Sequence, residues 1–112
     1  MKKLEEIIKA LADGTRLRMV NLIMQRELCV CQMQVLLDMS QPRISRHAHI
    51  LFDAGIIKQR KDGQRVFYSV NYNNELNALF DYLKQQFGNE PVYVNDIKKL
   101  NKLSKQINKL EK

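Results

Sequence analysis

Ser40-Gln41-Pro42-Arg43-Ile44-Ser45-Arg46-His47 opens a helix and loads its first turns with hydrogen-bonding side chains. Ser40 suits an N-cap and Pro42 is tolerated just inside it, because the first amides of a helix have no intrahelical acceptor. The helix is predicted to run to about Asp53, with Gly55 as its stop. Along it Ile44, His47, Ala48 and Leu51 share one stripe, so Pro42, Arg46, His49 and Asp53 point the other way, flanked by Gln41 and Ser45. A helix that reads the major groove needs such side chains near its N-terminal end, where Arg takes guanine bidentately and Gln takes adenine. Gln41, Arg43, Ser45, Arg46 and His49 are therefore the candidate reading residues. His47, on the inner stripe, reads as a packed, hydrogen-bonded histidine. Since any surface helix is polar outside, its neighbours must supply further support.

Downstream, Ile56 to Arg60 and Arg65 to Val70 are β-favouring runs around Lys61-Asp62-Gly63-Gln64, and Asp-Gly between such runs signals a tight hairpin. The hairpin, over residues 56–70, would act as a wing, with Lys58, Arg60, Lys61 and Arg65 supplying salt-dependent affinity along the phosphate backbone. Phe67, Tyr68 and Tyr72 read as packing between wing and core. Upstream, Asp38-Met39-Ser40 makes a tight turn after a third helix near Gln32 to Leu37. Before that, Asp13 is the expected N-cap of a second helix reaching about Gln25, and Leu4, Ile7, Ile8 and Leu11 mark a first. Leu76, Leu79, Phe80, Leu83 and Phe87 mark a fifth helix, broken at Gly88 to Pro91, and Ile97, Leu100, Leu103, Ile107 and Leu110 form a narrow final stripe.

This order predicts a mainly α fold with a short β-hairpin: a winged helix-turn-helix, α-α-α-α-β-β-α with a further C-terminal helix, as one domain over residues 1–112. The helix-turn-helix occupies about residues 31–53. The apolar stripes of helices at 1–12 and about 94–110 exceed what a monomer of this size needs, so they are expected to build a homodimer interface.

The bulk numbers agree with a partner of opposite charge. The 112 residues carry a net +7, concentrated as +4 over residues 41–70 and +4 over 94–112. Such clustering suits a polyanion. With 45% apolar and 28% charged residues and only four Gly and two Pro, the chain should fold, and mainly into helices. Mixed charge in the opening Leu4-Glu5-Glu6-Ile7-Ile8 excludes a leader or membrane span there, so a cytoplasmic protein without membrane contact is expected. There is no Gly-rich phosphate loop, nor a nucleophile with a matching His and carboxylate arrangement, so an enzyme is not expected.

Glu27-Leu28-Cys29-Val30-Cys31-Gln32 holds the only two cysteines. In a reducing compartment they read as a metal-binding, reactive or inert thiol pair before a structural disulfide. Taken alone they read first as small buried apolar residues. Residues two apart in a regular helix point to opposite sides, whereas in an extended segment both face one way. An ion gripping both sulfurs is thus expected to select a non-helical backbone at the entrance of the third helix. A redox switch through a disulfide across so short a loop ranks below ion sensing, on grounds of geometry.

Four co-linear runs carry a resemblance: Lys9-Ala10-Leu11-Ala12-Asp13-Gly14-Thr15-Arg16-Leu17-Arg18; Glu27-Leu28-Cys29-Val30-Cys31; Ser40 to His47; and Asp53-Ala54-Gly55-Ile56-Ile57. Together they resemble the ArsR/SmtB family of metal-sensing repressors over roughly Ile8 to Tyr72, and within it the arsenic-responsive repressors. The resemblance implies a homodimer that binds a two-fold symmetric operator in double-stranded DNA and releases it when As(III) or Sb(III) binds Cys29 and Cys31. No cofactor is required beyond that inducer. Some arsenic repressors carry a further cysteine three positions after the second, where this chain has Gln34. A third ligand is then left to hydroxide or an external small thiol. The family's zinc and nickel sensors place ligands on the helix after the wing, but no His follows His49 here. The alternative function is a winged-helix regulator without metalloid input, or one responsive to thiol redox state, in which the cysteines are structural.

Overall fold

Asp13 begins the second helix as its spacing predicts: its side chain accepts from the Arg16 amide at 3.0 Å. Anion-like capping of this kind lowers the Asp13 pKa, through the Arg16 backbone hydrogen bond first. The computed structural model describes residues 2–110, with side-chain surroundings over 3–105, so Ile107 and Leu110 of the final stripe lie outside the described side chains. The elements are α1 (Lys2–Leu11), α2 (Gly14–Gln25), β1 (Leu28–Cys29), α3 (Val30–Leu37), α4 (Gln41–Asp53), β2 (Ile57–Asp62), β3 (Arg65–Val70), α5 (Asn77–Phe87) and α6 (Pro91–Leu110). This is the winged helix-turn-helix order, with one strand more than the sequence suggested.

The core lies where α1 to α4 meet the sheet and α5. Ile7, Met19, Leu22, Met33, Ile44, Leu51 and Phe80 are all buried there. Burial of such side chains contributes roughly 1.5–3 kcal/mol each and fixes α3 against α4. The turn between them closes with Asp38 in the left-handed region at φ 53, its amide donating to the Gln34 carbonyl. Ser40 takes the extended N-cap conformation of α4 without a side-chain cap bond.

The sheet runs in the order β1-β3-β2, antiparallel throughout. Asp62 pairs with Arg65, so the hairpin turns on Gly63 and Gln64, one residue later than an Asp-Gly turn would place it. Gly63 stands at φ 62, which suits the first central position of a type II′ turn. The segment before α3 is the added strand: Leu28 lies opposite Tyr68 and Cys29 opposite Phe67.

Helix α6 begins earlier than the narrow stripe suggested and folds back along α2. Tyr93, Asp96 and Leu100 face inward, the last two each 2% exposed. Arg18 of α2 meets Asp96 through two bonds, Nε to Oδ2 at 2.8 Å and a terminal nitrogen to Oδ1 at 2.9 Å. Nearby, Asn21 Nδ2 donates to the Tyr93 carbonyl at 3.1 Å. Part of the expected intermolecular seam is therefore used inside the chain. Among the described side chains, the large apolar ones that α1 and α6 leave open are Leu4 and Ile8, both 55% exposed, and Val92 and Val94.

Candidate nucleic-acid interface and thiol site

Helix α4 has the two sides that its pattern predicts. Ile44, Ala48 and Leu51 are buried, while Gln41, Arg43, Arg46 and His49 are exposed and Ser45 is half-buried. Gln41 Nε2 donates to Ser45 Oγ at 2.8 Å, which orders the first turn without using up either side chain's remaining hydrogen-bonding capacity. His49 Nε2 stands 3.1 Å from Asp53 Oδ2, an ion pair when the imidazole is protonated. His47 is packed and hydrogen-bonded as expected: its Nδ1 lies 3.1 Å from an Arg16 terminal nitrogen. A guanidinium only donates, so Nδ1 accepts and the neutral ring carries its proton on Nε2. Burial lowers the His47 pKa first, opposed by Asp13 and reinforced by Arg16, Arg43 and Arg46. Arg16 also donates Nε to the Ala10 carbonyl at 2.6 Å, tying the end of α1 to the back of α4. That role of Arg16 has no local signal beyond its place in the first turn of α2.

On the wing, Lys58, Lys61 and Arg65 are exposed and, like Arg43 and Arg46, have no ion-pair partner among the described residues. Arg60 differs. Its guanidinium forks onto the Glu27 carboxylate, at 2.7 and 3.2 Å, and lies 4.7 Å from the centre of the Phe67 ring. The fork holds the Glu27 pKa below the usual carboxylate range. Tyr68 is buried against the core as expected. Tyr72 is not: it is 58% exposed and reaches the core only through an edge-on contact with Phe80, ring centres 5.4 Å apart. It stands just past the last strand residue, where the chain leaves the sheet.

The cysteines straddle a boundary. Cys29 is the extended N-cap of α3, at φ −87 and ψ 165, and Cys31 is already in the first helical turn. The sequence placed the start of this helix near Gln32; it starts at Val30 because Cys29 and Gln32 close a capping box. The Gln32 amide donates to Cys29 Sγ at 3.4 Å, and the Cys29 amide donates to Gln32 Oε1 at 2.9 Å. The pattern Cys29-x-x-Gln32 is the usual Ser/Thr-x-x-Gln signature with sulfur for oxygen, which the sequence offered and the spacing argument overlooked.

The two sulfurs are joined as a disulfide, with their Cα atoms 5.4 Å apart. Two expectations are corrected by this. A disulfide across so short a loop ranked below ion sensing on geometric grounds, yet the sulfurs are bonded with a Cα separation in the ordinary range for a bridge. Nor does bringing the sulfurs together require α3 to unwind, because only one of the two residues lies inside it. Cys29 is buried and Cys31 exposed, so neither reading as wholly inert packing nor as a fully open pair describes both.

Cys29 and Cys31 open into a cleft of about 240 Å³ that they share with Gln34 of α3, Gln41 and Ser45 of α4, and Gln64, Arg65 and Tyr68 of the wing. The two sulfurs and the candidate reading residues Gln41, Ser45 and Arg65 thus line one space. Among the described residues no three His, Cys, Asp or Glu side chains come together where they could hold a metal ion.

A sequence profile for "Bacterial regulatory protein, arsR family" matches residues 13–59, from the N-cap of α2 into the wing. The Arsenical resistance operon repressor of Staphylococcus aureus is 37% identical over 71 residues, covering 63% of this chain and 68% of that protein. The chain belongs to the ArsR family. Pseudomonas putida contributes a relative named Arsenic resistance transcriptional regulator ArsR1, 48% identical over 66 residues, covering 58% of this chain and 52% of that one. The Escherichia coli Arsenical resistance operon repressor is 45% identical over 67 residues, covering 59% and 57%. The matched region thus spans little more than half the length of these two relatives. Among solved structures, HlyU from Vibrio cholerae superposes with TM-score 0.67 at 29% identity, covering 76% of this chain and 91% of that one. A Mycobacterium bovis winged helix-turn-helix domain, described as homodimeric, superposes with TM-score 0.68 at 26% identity, covering 80% and 82%. The family and these relatives are regulators rather than enzymes. Among the described residues of this ArsR-family chain, no helix is long and apolar enough to cross a membrane.

Proposed function

We propose that this ArsR-family chain is a cytoplasmic transcriptional repressor that binds a two-fold symmetric operator as a homodimer and is released by As(III) or Sb(III) at Cys29 and Cys31. In this reading Gln41, Arg43, Ser45, Arg46 and His49 meet base edges and nearby phosphates in the major groove. Lys58, Lys61 and Arg65 follow the backbone beside it, with Arg60 midway along the same ribbon. Leu4, Ile8, Val92 and Val94, on the outer helices, contribute to contacts between subunits.

The observation that carries the reading is the shared cleft. Thiolate is soft and suits a trivalent thiophilic ion, and both sulfurs must be reduced and deprotonated to bind it. A helix N-terminus favours the anionic form of sulfur. An ion held by both sulfurs, with its own oxygen or an external thiol as third ligand, adds bulk and polarity beside Gln41, Ser45 and Arg65, and it draws Cys29 Sγ away from capping α3. DNA and ion then prefer different arrangements of one cleft, and that differential affinity is the coupling free energy that releases the operator.

The test is operator retardation by the reduced protein. Arsenite should dissolve the retarded complex of the wild type, while Cys29→Ser and Cys31→Ser variants remain bound. Arsenite bound to the thiolates, seen by its absorbance, with the operator still held would sink the proposal. A second reading is favoured by the bonded sulfurs themselves: a regulator that answers to thiol oxidation. It predicts that operator affinity differs between reduced and oxidised protein in the absence of any ion.

A further inference from the structure

Cys29, Phe67 and Arg60 occupy one row across the three strands, since Cys29 pairs with Phe67 and Phe67 with Arg60. Directly opposed residues in antiparallel strands project on the same face, and so does a residue two positions along. Glu27 precedes Cys29 by two, and its side chain returns across this row to the Arg60 guanidinium, which covers the Phe67 ring. A closed circuit results: backbone from Glu27 to Cys29, pairing from Cys29 through Phe67 to Arg60, and an ion pair back to Glu27.

We propose that the Glu27–Arg60 pair is a latch that transmits the state of the thiol pair to the wing, with both as positioning residues rather than DNA contacts. This rests on the ion-release reading above. β1 has two residues, and pairing at Leu28 and Cys29 alone is a short connection for moving a six-residue strand such as β3. The latch adds a second attachment, from the residue just before β1 to β2, the far strand of the sheet. When an ion draws Cys29, the segment carrying Glu27 moves with it and takes Arg60, hence the stem of the wing, in the same direction. Glu27, Phe67 and, at 4.0 Å, Asp62 occupy the guanidinium, which lowers its availability to a phosphate. The charge pair is open to water, with 54% of the Arg60 side chain and 36% of the Glu27 side chain exposed.

Operator affinity is measured with and without arsenite for wild type, Glu27→Gln, Arg60→Gln and the exchanged double variant Glu27→Arg/Arg60→Glu, with arsenite binding followed separately by thiolate absorbance. For wild type the ratio of affinities is expected in the range of roughly 5- to 150-fold that couplings between sites usually span. In each single variant the ratio should fall to within about threefold of unity while arsenite affinity is unchanged, and the exchanged pair should recover most of it. A pair that only steadied the fold would shift affinity equally with and without arsenite, leaving the ratio intact. Single variants with the wild-type ratio overturn the latch while leaving ion-driven release standing. A wild type whose ratio is already unity overturns both, and that outcome is separate from the first.

Discussion

Among the ion pairs that join distant parts of this chain, two are built in opposite ways. Arg18–Asp96 clamps α6 onto α2 with a carboxylate that is 2% exposed, whereas Glu27–Arg60 joins the residue before β1 to the wing with both partners open to water. A buried pair cannot come apart without leaving a charge unsatisfied, and an exposed pair exchanges its partner for water at little cost. The difference teaches which pair is fixed frame and which is open to exchange with water: the clamp ties α6 to α2, and the exposed link sits beside the cysteines.

The comparison is broken most directly at the clamp. Asp96→Asn leaves Arg18 without its counter-charge, and the urea unfolding midpoint should drop by the equivalent of about 3 kcal/mol, with the response to arsenite kept at temperatures where the protein is folded. Leu100→Ala, on the same inner face, should cost about 2–3 kcal/mol by the same measurement, because a fully packed leucine leaves a void. A smaller effect is expected at the back of α4. His47 is held neutral in the folded chain with its pKa below the ordinary 6.5. The unfolded chain therefore takes up its proton first, so this contribution is complete above that value and declines as pH falls below it. His47→Gln should flatten that part of a plot of urea midpoint against pH between about 7.5 and 5. Smallest of all, Glu27→Gln should leave the unfolding midpoint where it is and alter only the arsenite ratio. A large loss of stability there would erase the distinction between the two pairs.

The clamp and the link also mark the limit of what the sequence could say. Local signals were enough for most of the fold: Asp13 before an apolar repeat, Ser40 and Pro42 at the entry of α4, Gly55 past its end, and two β-favouring runs around a glycine. Each of these acts within a few residues of itself. The outer face of α4 was legible for the same reason, since Ile44, Ala48 and Leu51 fix which way Gln41, Arg46 and His49 point. Arg18 and Asp96 are 78 residues apart, and Arg60 and Glu27 are 33 apart. Nothing in either sequence neighbourhood says that a given charge has a partner rather than solvent. For the cysteines, the alternation of sides holds within a helix or within a strand, and this pair spans the junction between the two. The capping pattern that places the junction was there to be seen in Gln32.

That junction has a practical consequence. The Gln32 amide is a proton whose acceptor is the Cys29 sulfur itself, so whatever bonds to that atom rewrites the amide's surroundings directly. In a nitrogen-15 correlation spectrum this single resonance serves as an internal gauge of how the sulfur is occupied, and its solvent-exchange rate tells whether the first coil of α3 stays wound while the ligand sits there.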